Sequence, residues 1–401
     1  MGIIADLHIH SKYSRACSKN IDVGNLSKYA EIKGIDILGT GDFTHPEWMK
    51  ELKEKLKEKN KGVYEFHGTK FILSSEISLM YKQDKPRKVH LVLLAPDLSI
   101  VNQINKWLIT KGRLDYDGRP IFGFSCIELA DKMREIDDKI EIIPAHAWTP
   151  WFGIFGSMSG FDSLKECFKE QLENIHAIET GMSSDPEMNW HISELNNKSI
   201  VSFSDSHSFW PWRLGREATI FKGDDSIEYK DIIKQIRENS FEATIETNPS
   251  YGKYHFDGHR LCNFSCSPAE SKKLKNICPI CKKGLTIGVE NRIEELSDNP
   301  ESFKPKKARP FHTMLPLHEL ISMVKGTSMT SKMCWSYYNK FIDIGNEFNI
   351  LLQASRERLL KIDDKICEAI MDNREGKIKV IPGYDGEYGK AVMKKKQMTL
   401  A

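Results

Sequence analysis

Histidines and carboxylates recur through the first 250 of the 401 residues at spacings that could gather metal ions. The run Asp6-Leu7-His8-Ile9-His10 alternates ligand-type with apolar residues, and alternation along a strand places Asp6, His8 and His10 on one face. Asp42, followed by His45, then Glu76, His90, His146 and Glu179 come at or near the ends of later apolar runs, and Ser204-Asp205-Ser206-His207 again sets two ligand types two apart. One buried histidine at a strand end is more often hydrogen-bonded structure than a ligand, so the weight lies in the recurrence. Imidazole and carboxylate together suit zinc, manganese or iron, and this many donors suffice for two or three ions. Such a cluster serves phosphate ester hydrolysis, where metals activate water, bind nonbridging oxygens and stabilise the leaving alkoxide. The expected ligands are His8, His10, Glu76, His90, His146, Glu179, Asp205 and His207, with Glu179, Asp205 and Asp42 as the catalytic acids.

A second constellation has another chemistry. Cys262-x3-Cys266 and Cys278-Pro279-Ile280-Cys281 form two close pairs, the form of a structural four-cysteine zinc site, whereas four merely packed thiols would not need that pairing. Lysines 272, 273, 275, 282 and 283 around it permit contact with nucleic acid. The remaining cysteines, Cys17, Cys126, Cys167, Cys334 and Cys367, are scattered and expected to be packed as reduced thiols.

Positioning the first set requires strands. Strand-like runs at 3–8, 35–38, 71–79, 89–95, 140–144, 175–178 and 200–203 alternate with amphipathic stretches such as 25–33, which predicts repeated βα units around a parallel sheet or barrel. Beyond Ser250 this rhythm fades. Residues 300–310 are rich in Pro and Lys and read as a linker, and helical periodicity follows at 317–324 and 335–370. The expected division is a catalytic unit at 1–250, a zinc module at 251–299, and a linker with a basic helical unit at 300–401. Residues 251–401 carry 26 Lys and Arg against 18 Asp and Glu, while residues 1–250 carry 32 against 38, so a half suited to cations joins a half suited to an anion such as DNA. No apolar run approaches membrane-spanning length and no signal peptide is evident, so a cytoplasmic location without membrane contact is expected.

The motifs containing His8 and His10, Gly39-Thr40-Gly41-Asp42, Glu76, His90, Pro144-Ala145-His146 and Ser204-Asp205-Ser206-His207 resemble those of the polymerase and histidinol phosphatase (PHP) superfamily. Within it the chain resembles the endonuclease Q family along nearly its whole length, most specifically in the motif starting at His146-Ala147-Trp148-Thr149-Pro150-Trp151-Phe152-Gly153, in Glu179-Thr180-Gly181-Met182-Ser183-Ser184-Asp185-Pro186 and in the loop 382–390. The resemblance implies a distorted (β/α)7 barrel with a polynuclear centre of two or three divalent metals, zinc or else Mg or Mn. It also implies incision of DNA 5′ to uracil, hypoxanthine, xanthine and abasic sites, leaving 3′-hydroxyl and 5′-phosphate ends. Ser14-Arg15-Ala16 and Gly41-Asp42-Phe43 depart from the superfamily pattern where further histidines are usual.

An enzyme acting beside an altered base takes that base out of the stack, which calls for aromatic wedges. Trp148, Trp151 and Phe152 are the first candidates, the aromatics at 209–213 the second, and Tyr384 with Lys390 in the glycine-rich loop a third. Two other readings compete: a small-molecule phosphoesterase of the PHP type, and a DNA-binding module with a vestigial barrel. Gln397 and Leu400 in the basic tail are spaced as at the start of sliding-clamp binding peptides, without the aromatic anchors that follow there.

Overall fold

The computed structural model describes residues 2–392, so the clamp-like tail at 394–401 lies outside the described residues. The first 250 residues form β1 (Ile3–Asp6), α1 (Val23–Lys33), β2 (Ile37–Gly39), α2 (Pro46–Lys55), β3 (Lys57–Asn60), β4 (Val63–Phe66), β5 (Thr69–Lys82), β6 (Pro86–Ala95), α3 (Leu98–Lys111), β7 (Ile121–Phe122), α4 (Cys126–Ile136), β8 (Glu141–Pro144), α5 (Leu164–Phe168), β9 (Ala177–Glu179), α6 (Pro186–Trp190), β10 (Ser199–Val201), β11 (Ala218–Phe221), α7 (Tyr229–Glu238) and β12 (Ala243–Glu246). Side chains at the helix starts satisfy otherwise unpaired amides: Asp22, Asp97 and Ser125 accept from the N–H groups of Asn25, Ile100 and Glu128. Helix α1 ends at Gly34, whose φ of 89° is one that side chains rarely adopt.

The fold is a mixed α/β structure around a central sheet. Strands β1, β2 and β5 are parallel neighbours, but β5–β6 and β6–β8 are antiparallel, as are β1–β11 and β11–β12. This corrects the expectation of an all-parallel arrangement. Strands β5 and β6 are separated by residues 83–85 alone, which leaves no length for the crossover that parallel pairing needs. Strands β9 and β10 pair in parallel. Further hydrogen bonds run from Ala147 N–H to Glu179 O, Thr180 N–H to Val201 O and His10 N–H to Ser206 O, so β8, β9, β10 and β1 follow one another around one end of the sheet.

The next segment contains β13 (Asp257–His259), β14 (Phe264–Cys266), α8 (Pro268–Lys273) and α9 (Val289–Leu296). The chain then returns to the central sheet, where β15 (Phe311–Thr313) pairs in parallel with β12. A C-terminal helical region follows, α10 (Leu317–Lys325), α11 (Lys332–Ile342), α12 (Glu347–Leu352), α13 (Arg356–Leu360) and α14 (Asp364–Arg374), with the hairpin β16 (Lys379–Ile381) and β17 (Lys390–Val392). Leu317, Leu320, Phe341 and Phe348 share one buried cluster with Leu26, Ala30 and Leu214, so these helices pack directly on the site-bearing part. No helix among the described residues is long and apolar enough to cross a membrane.

Candidate metal centre

Strand alternation brings the ligands together. Ile72, Val92, Leu94, Ala177, Val201 and Phe203 belong to one buried apolar cluster, and Glu76, His90, Glu179 and Asp205 stand at even spacing from them, on the same faces. His90 precedes its apolar partners because β6 runs antiparallel, and the register sets Glu76 opposite Val92 and Ser78 opposite His90. Asp42, His146 and Asp205 have φ values of 46°, 32° and 47°, sparsely populated conformations that cost on the order of 1–3 kcal/mol each and cluster at functional sites. Gly181, with φ 58°, packs against His146, where an added Cβ would come within 2.7 Å of the His146 Cβ.

Two groups could each hold a cation: His8, His10, Glu76 and Asp205 form one, and Glu76, His90 and His146 the other. Glu76 belongs to both. Its Oε1 lies 2.8 Å from His90 Nδ1 and 3.1 Å from His146 Nε2, and its Oε2 lies 3.3 Å from His10 Nε2. Asp205 Oδ1 stands 3.0 Å from His10 Nε2 and 3.6 Å from His8 Nε2. Glu179 Oε2 lies 2.8 Å from His8 Nδ1, and Asp42 Oδ1 lies 3.0 Å from His10 Nδ1. Each carboxylate thus orients an imidazole so that its Nε2 faces the centre, an arrangement that fixes ring orientation and raises ligand basicity. The other Asp42 oxygen is taken by the Ser11 amide and by the Ser11 and Ser14 hydroxyls. Asp42 and Glu179 are fully buried and lie behind the histidines; Asp205, with 27% of its side chain exposed, opens to the cleft.

Electrostatics agree with a cation site. Burial opposes ionisation of Glu76, but His90, Arg119 and His8 outweigh it and hold its pKa well below the ordinary range. Burial opposes ionisation of Asp205 too, and His207, His10 and His8 reverse it. Burial also opposes charge on His8 and His10, yet Glu179 and Glu76 beside the first, and Asp42 and Asp205 beside the second, raise both well above the usual value. Protons held this way are what a dication displaces. Burial pushes His90 down to about 4 despite Glu76. His8 Nε2 is buried with no hydrogen-bond partner among the described residues, an orphaned donor atom that a metal would satisfy.

His207 lies outside both groups; its ring sits 4.6 Å from that of His10 and its Nδ1 is 2.9 Å from the Asp205 carbonyl oxygen. Asp6 also stands apart, accepting from the Ser204 amide and hydroxyl and from the Gly215 amide, which anchors the loop bearing Asp205. His45 precedes α2 and stacks on Tyr13 at 4.1 Å.

The cleft beside the centre comprises a cavity of about 310 Å³, which includes His90, His146, Trp151, Phe152, Met182 and Tyr254, and one of about 610 Å³, which includes His207 and Arg213. Asp205, Arg216, Lys253 and Tyr388 line both. Three sequence candidates are corrected here. Trp148 is 1% exposed, donates its indole N–H to Asn189 and packs on Phe155, so it belongs to the core. Tyr384 turns away, donating its hydroxyl to Asn263, and Lys390 lies in the β16–β17 hairpin; neither lines the cleft. The turn at Asp385 and Gly386, with φ of 41° and 93°, separates Tyr384 from Tyr388, the tyrosine of that loop that does reach the cleft. Phe209 and Trp212 are buried, and Trp212 packs against His318 and Trp335 of the helical region. Sequence reasoning missed Arg119, whose Nη1 lies 3.0 Å from Glu76 Oε2, along with Arg216 and Lys253. Arg119 comes from the loop before β7, and no motif marks it.

In the cysteine module the gathered group is His259, Cys262, Cys278 and Cys281, not four cysteines. The β13–β14 register pairs Asp257 with Cys266, and the Cys266 side chain enters a small apolar cluster with Leu285. The pair His259-x2-Cys262 was readable in the sequence as a ligand spacing.

The C-terminal helices, residues 316–377, match the family model of the MJ0043 C-terminal domain. The uncharacterized protein MJ0043 of Methanocaldococcus jannaschii is 35% identical over 254 residues, 62% of this chain; this chain covers 32% of that protein's length. The uncharacterized protein YqxK of Bacillus subtilis is 28% identical over 97% of this chain and 98% of its own. Among solved structures, the lesion-specific endonuclease PfuEndoQ from Pyrococcus furiosus superposes with a TM-score of 0.88 at 32% identity, covering 100% of this chain and 98% of that one. Endonuclease Q in complex with a duplex bearing an abasic lesion at the active site gives 0.89 at 32% identity, covering 100% of both chains. Identity at this level across the whole of both chains, on the same fold, places this chain in the endonuclease Q family.

Proposed function

We propose that this chain is a metal-dependent endonuclease that cuts DNA 5′ to deaminated bases (uracil, hypoxanthine, xanthine) and abasic sites, with the strands around the centre forming the (β/α)7 barrel of the PHP superfamily. The observation that carries this reading is the pair of ligand groups sharing Glu76, set beside a cleft lined by Arg213, Arg216 and Lys253. A basic cleft beside a binuclear donor set suits a phosphodiester. His8, His10, Glu76 and Asp205 would hold one cation and Glu76, His90 and His146 another; bound divalent metals, zinc or else Mn or Mg, would activate water and polarise the phosphate. The water oxygen bonds to phosphorus as the P–O3′ bond breaks. Asp205, open to the cleft, accepts the water proton, and the 3′ oxygen leaves as a hydroxyl once protonated. Arg119 and Arg216 offset the charge of the phosphoryl oxygens. Glu179 and Asp42 hold His8 and His10 in place and do not touch substrate.

The cavity flanked by Trp151 and Phe152 would receive the extruded base. Deamination replaces an amino donor by a carbonyl acceptor, so a wall offering N–H and O–H donors accepts uracil and hypoxanthine and rejects cytosine and adenine. Three thiolates and one imidazole in the module suit structural zinc, which would stabilise a unit too small for its own core.

The test is restoration of activity to metal-stripped protein. Nicking of a duplex with one abasic site should return with Zn²⁺, Mn²⁺ or Mg²⁺ and be absent in His90→Ala. Protein that takes up metal yet leaves every damaged duplex intact overturns the proposal.

A further inference from the structure

The glycine-rich loop at 382–390 does more than deliver Tyr388. Its amides clamp the segment before β13: Gly383 N–H donates to Ser250 O at 2.8 Å, Gly386 N–H to Lys253 O at 2.9 Å and Gly389 N–H to Tyr251 O at 3.1 Å. A Cβ at Gly383 or Gly389 would collide with the carbonyl of Gly252 or Ser250, so this close approach needs glycine. The clamp sets Lys253 against Tyr388, with Nζ 4.6 Å from the ring centroid, and the Arg213 guanidinium stands 5.8 Å from the same ring. Lys253, Tyr388 and Arg216 line both cavities beside Asp205, and Lys253 is exposed. A bare phosphate contact does not call for a phenol beside the amine.

An abasic site supplies chemistry that this pair can use. Its sugar opens to an aldehyde at C1′, the atom that carries the base in intact DNA and therefore the atom turned toward the cavity of about 310 Å³. No base fills that cavity at an abasic site, so the aldehyde meets the wall to which Lys253 belongs. Lysine beside other cationic groups is a recurrent imine-forming nucleophile. Burial opposes ionisation of the Tyr388 hydroxyl, but Arg216, Arg213 and Lys253 outweigh it and hold its pKa below the ordinary value, which suits an oxygen that accepts a proton. Incision 5′ to the lesion leaves the abasic sugar at the 5′ end of the downstream strand, still joined to it through the C3′ oxygen.

We propose that Lys253 and Tyr388 give the protein a second activity, removal of this 5′-deoxyribose phosphate through an imine. Lys253 Nζ adds to C1′ and the aldehyde oxygen leaves as water, which forms the C=N bond. Tyr388 Oη takes a proton from C2′, and a C2′=C3′ double bond forms as the C3′–O bond breaks. The oxygen departs with its electron pair as the 5′-phosphate of the downstream strand. Water then adds to C1′, the C–N bond breaks, the Tyr388 proton passes to solvent, and the unsaturated sugar phosphate leaves Lys253 free. No oxidant or reductant takes part. The proposal rests on the reading that abasic DNA is cut on the 5′ side of the lesion.

The experiment uses the metal-loaded full chain and two duplexes, one with a central abasic site and one with tetrahydrofuran in its place, which has no aldehyde. Borohydride reduces an imine to a stable amine. Wild type treated with it on the abasic duplex should become covalently joined to the downstream strand, and mass spectrometry of the digest should place the link at Lys253. The tetrahydrofuran duplex should be nicked and never joined. Lys253→Arg should abolish both the link and, without borohydride, release of the sugar phosphate. Tyr388→Phe should keep the link and release the sugar phosphate about 100-fold more slowly. An unchanged Tm reports that each variant is folded, and the position of the link is read on wild type alone. Wild type that nicks without forming a link, a link at another residue, or release by either variant at the wild-type rate overturns the proposal. A tetrahydrofuran duplex left intact by wild type removes the underlying reading, which is a different outcome.

Discussion

Lys33 and Glu347 couple the helical region to the metal loop, and breaking the pair tests that coupling. The Lys33 side chain is 1% exposed and that of Glu347 0%, with Nζ and Oε1 2.7 Å apart. Lys33 also donates to the Pro211 carbonyl at 2.7 Å, and Glu347 accepts from the Leu317 amide at 2.9 Å and the Tyr338 hydroxyl at 2.8 Å. Pro211 lies four residues beyond His207, so the ammonium ties α1 and α12 to the loop that carries Asp205 and Arg216. Lys33→Met leaves a buried carboxylate with only neutral donors, which costs about 3–5 kcal/mol, and Glu347→Gln should cost a comparable amount by stranding the ammonium. The double variant Lys33→Met/Glu347→Gln removes both charges and should cost less than the sum of the singles by about 2 kcal/mol. Urea unfolding of the four proteins gives the cycle, with nicking of an abasic duplex in parallel. Lys33→Met should also slow nicking, although Lys33 touches no ligand. Single costs below about 1 kcal/mol with additive behaviour would refute the reasoning.

Glu179→Gln keeps an oxygen for His8 Nδ1 but removes its charge, so metal affinity measured by chelator competition should fall about 10–100-fold with little change in Tm; equal affinity removes its positioning role. Trp148→Ala should cost about 3–5 kcal/mol of stability, whereas Trp151→Ala should leave Tm in place and weaken binding to lesion duplex; the reverse pattern would restore Trp148 as the DNA contact. Burial, with the charge of Lys33, pushes His318 down to about 3, and neither ring nitrogen has a hydrogen-bond partner among the described residues. The unfolded chain then binds the extra proton between about pH 6.5 and pH 3, so stability is fully present above that window and falls as pH is lowered, by about 2 kcal/mol between pH 6.5 and 5. His318→Phe should flatten that slope by one proton, and an unchanged slope rules the assignment out.

The strand-borne ligands were legible because a period-two pattern carries its own geometry: once residues such as 71–79 and 175–178 are strands, Glu76 and Glu179 must emerge on the faces that bear Ile72 and Ala177. Strand direction was not legible, since apolar patterning reports burial and not polarity; the short 83–85 connection held the clue to the β5–β6 hairpin. Trp148 and Trp151 were indistinguishable by type, and the positive φ values of His146 and Phe152 that separate a core indole from a cleft indole leave no trace in composition. Arg119 meets Glu76 across 43 residues of sequence, a contact that the fold alone creates. The three-residue β15 is too short to show any alternation, so its return to the central sheet was invisible.

The central claim is lesion-directed incision by the metal centre, and the direct measurement is the map of the nick. End-labelled duplexes carrying one deoxyuridine, one deoxyinosine or one abasic site are incubated with the full chain and Zn²⁺, Mn²⁺ or Mg²⁺. A single cut immediately 5′ to the lesion, with 3′-hydroxyl and 5′-phosphate ends and lost in Asp205→Ala, is the predicted result. Intact strands alongside hydrolysis of a small phosphomonoester would contradict it.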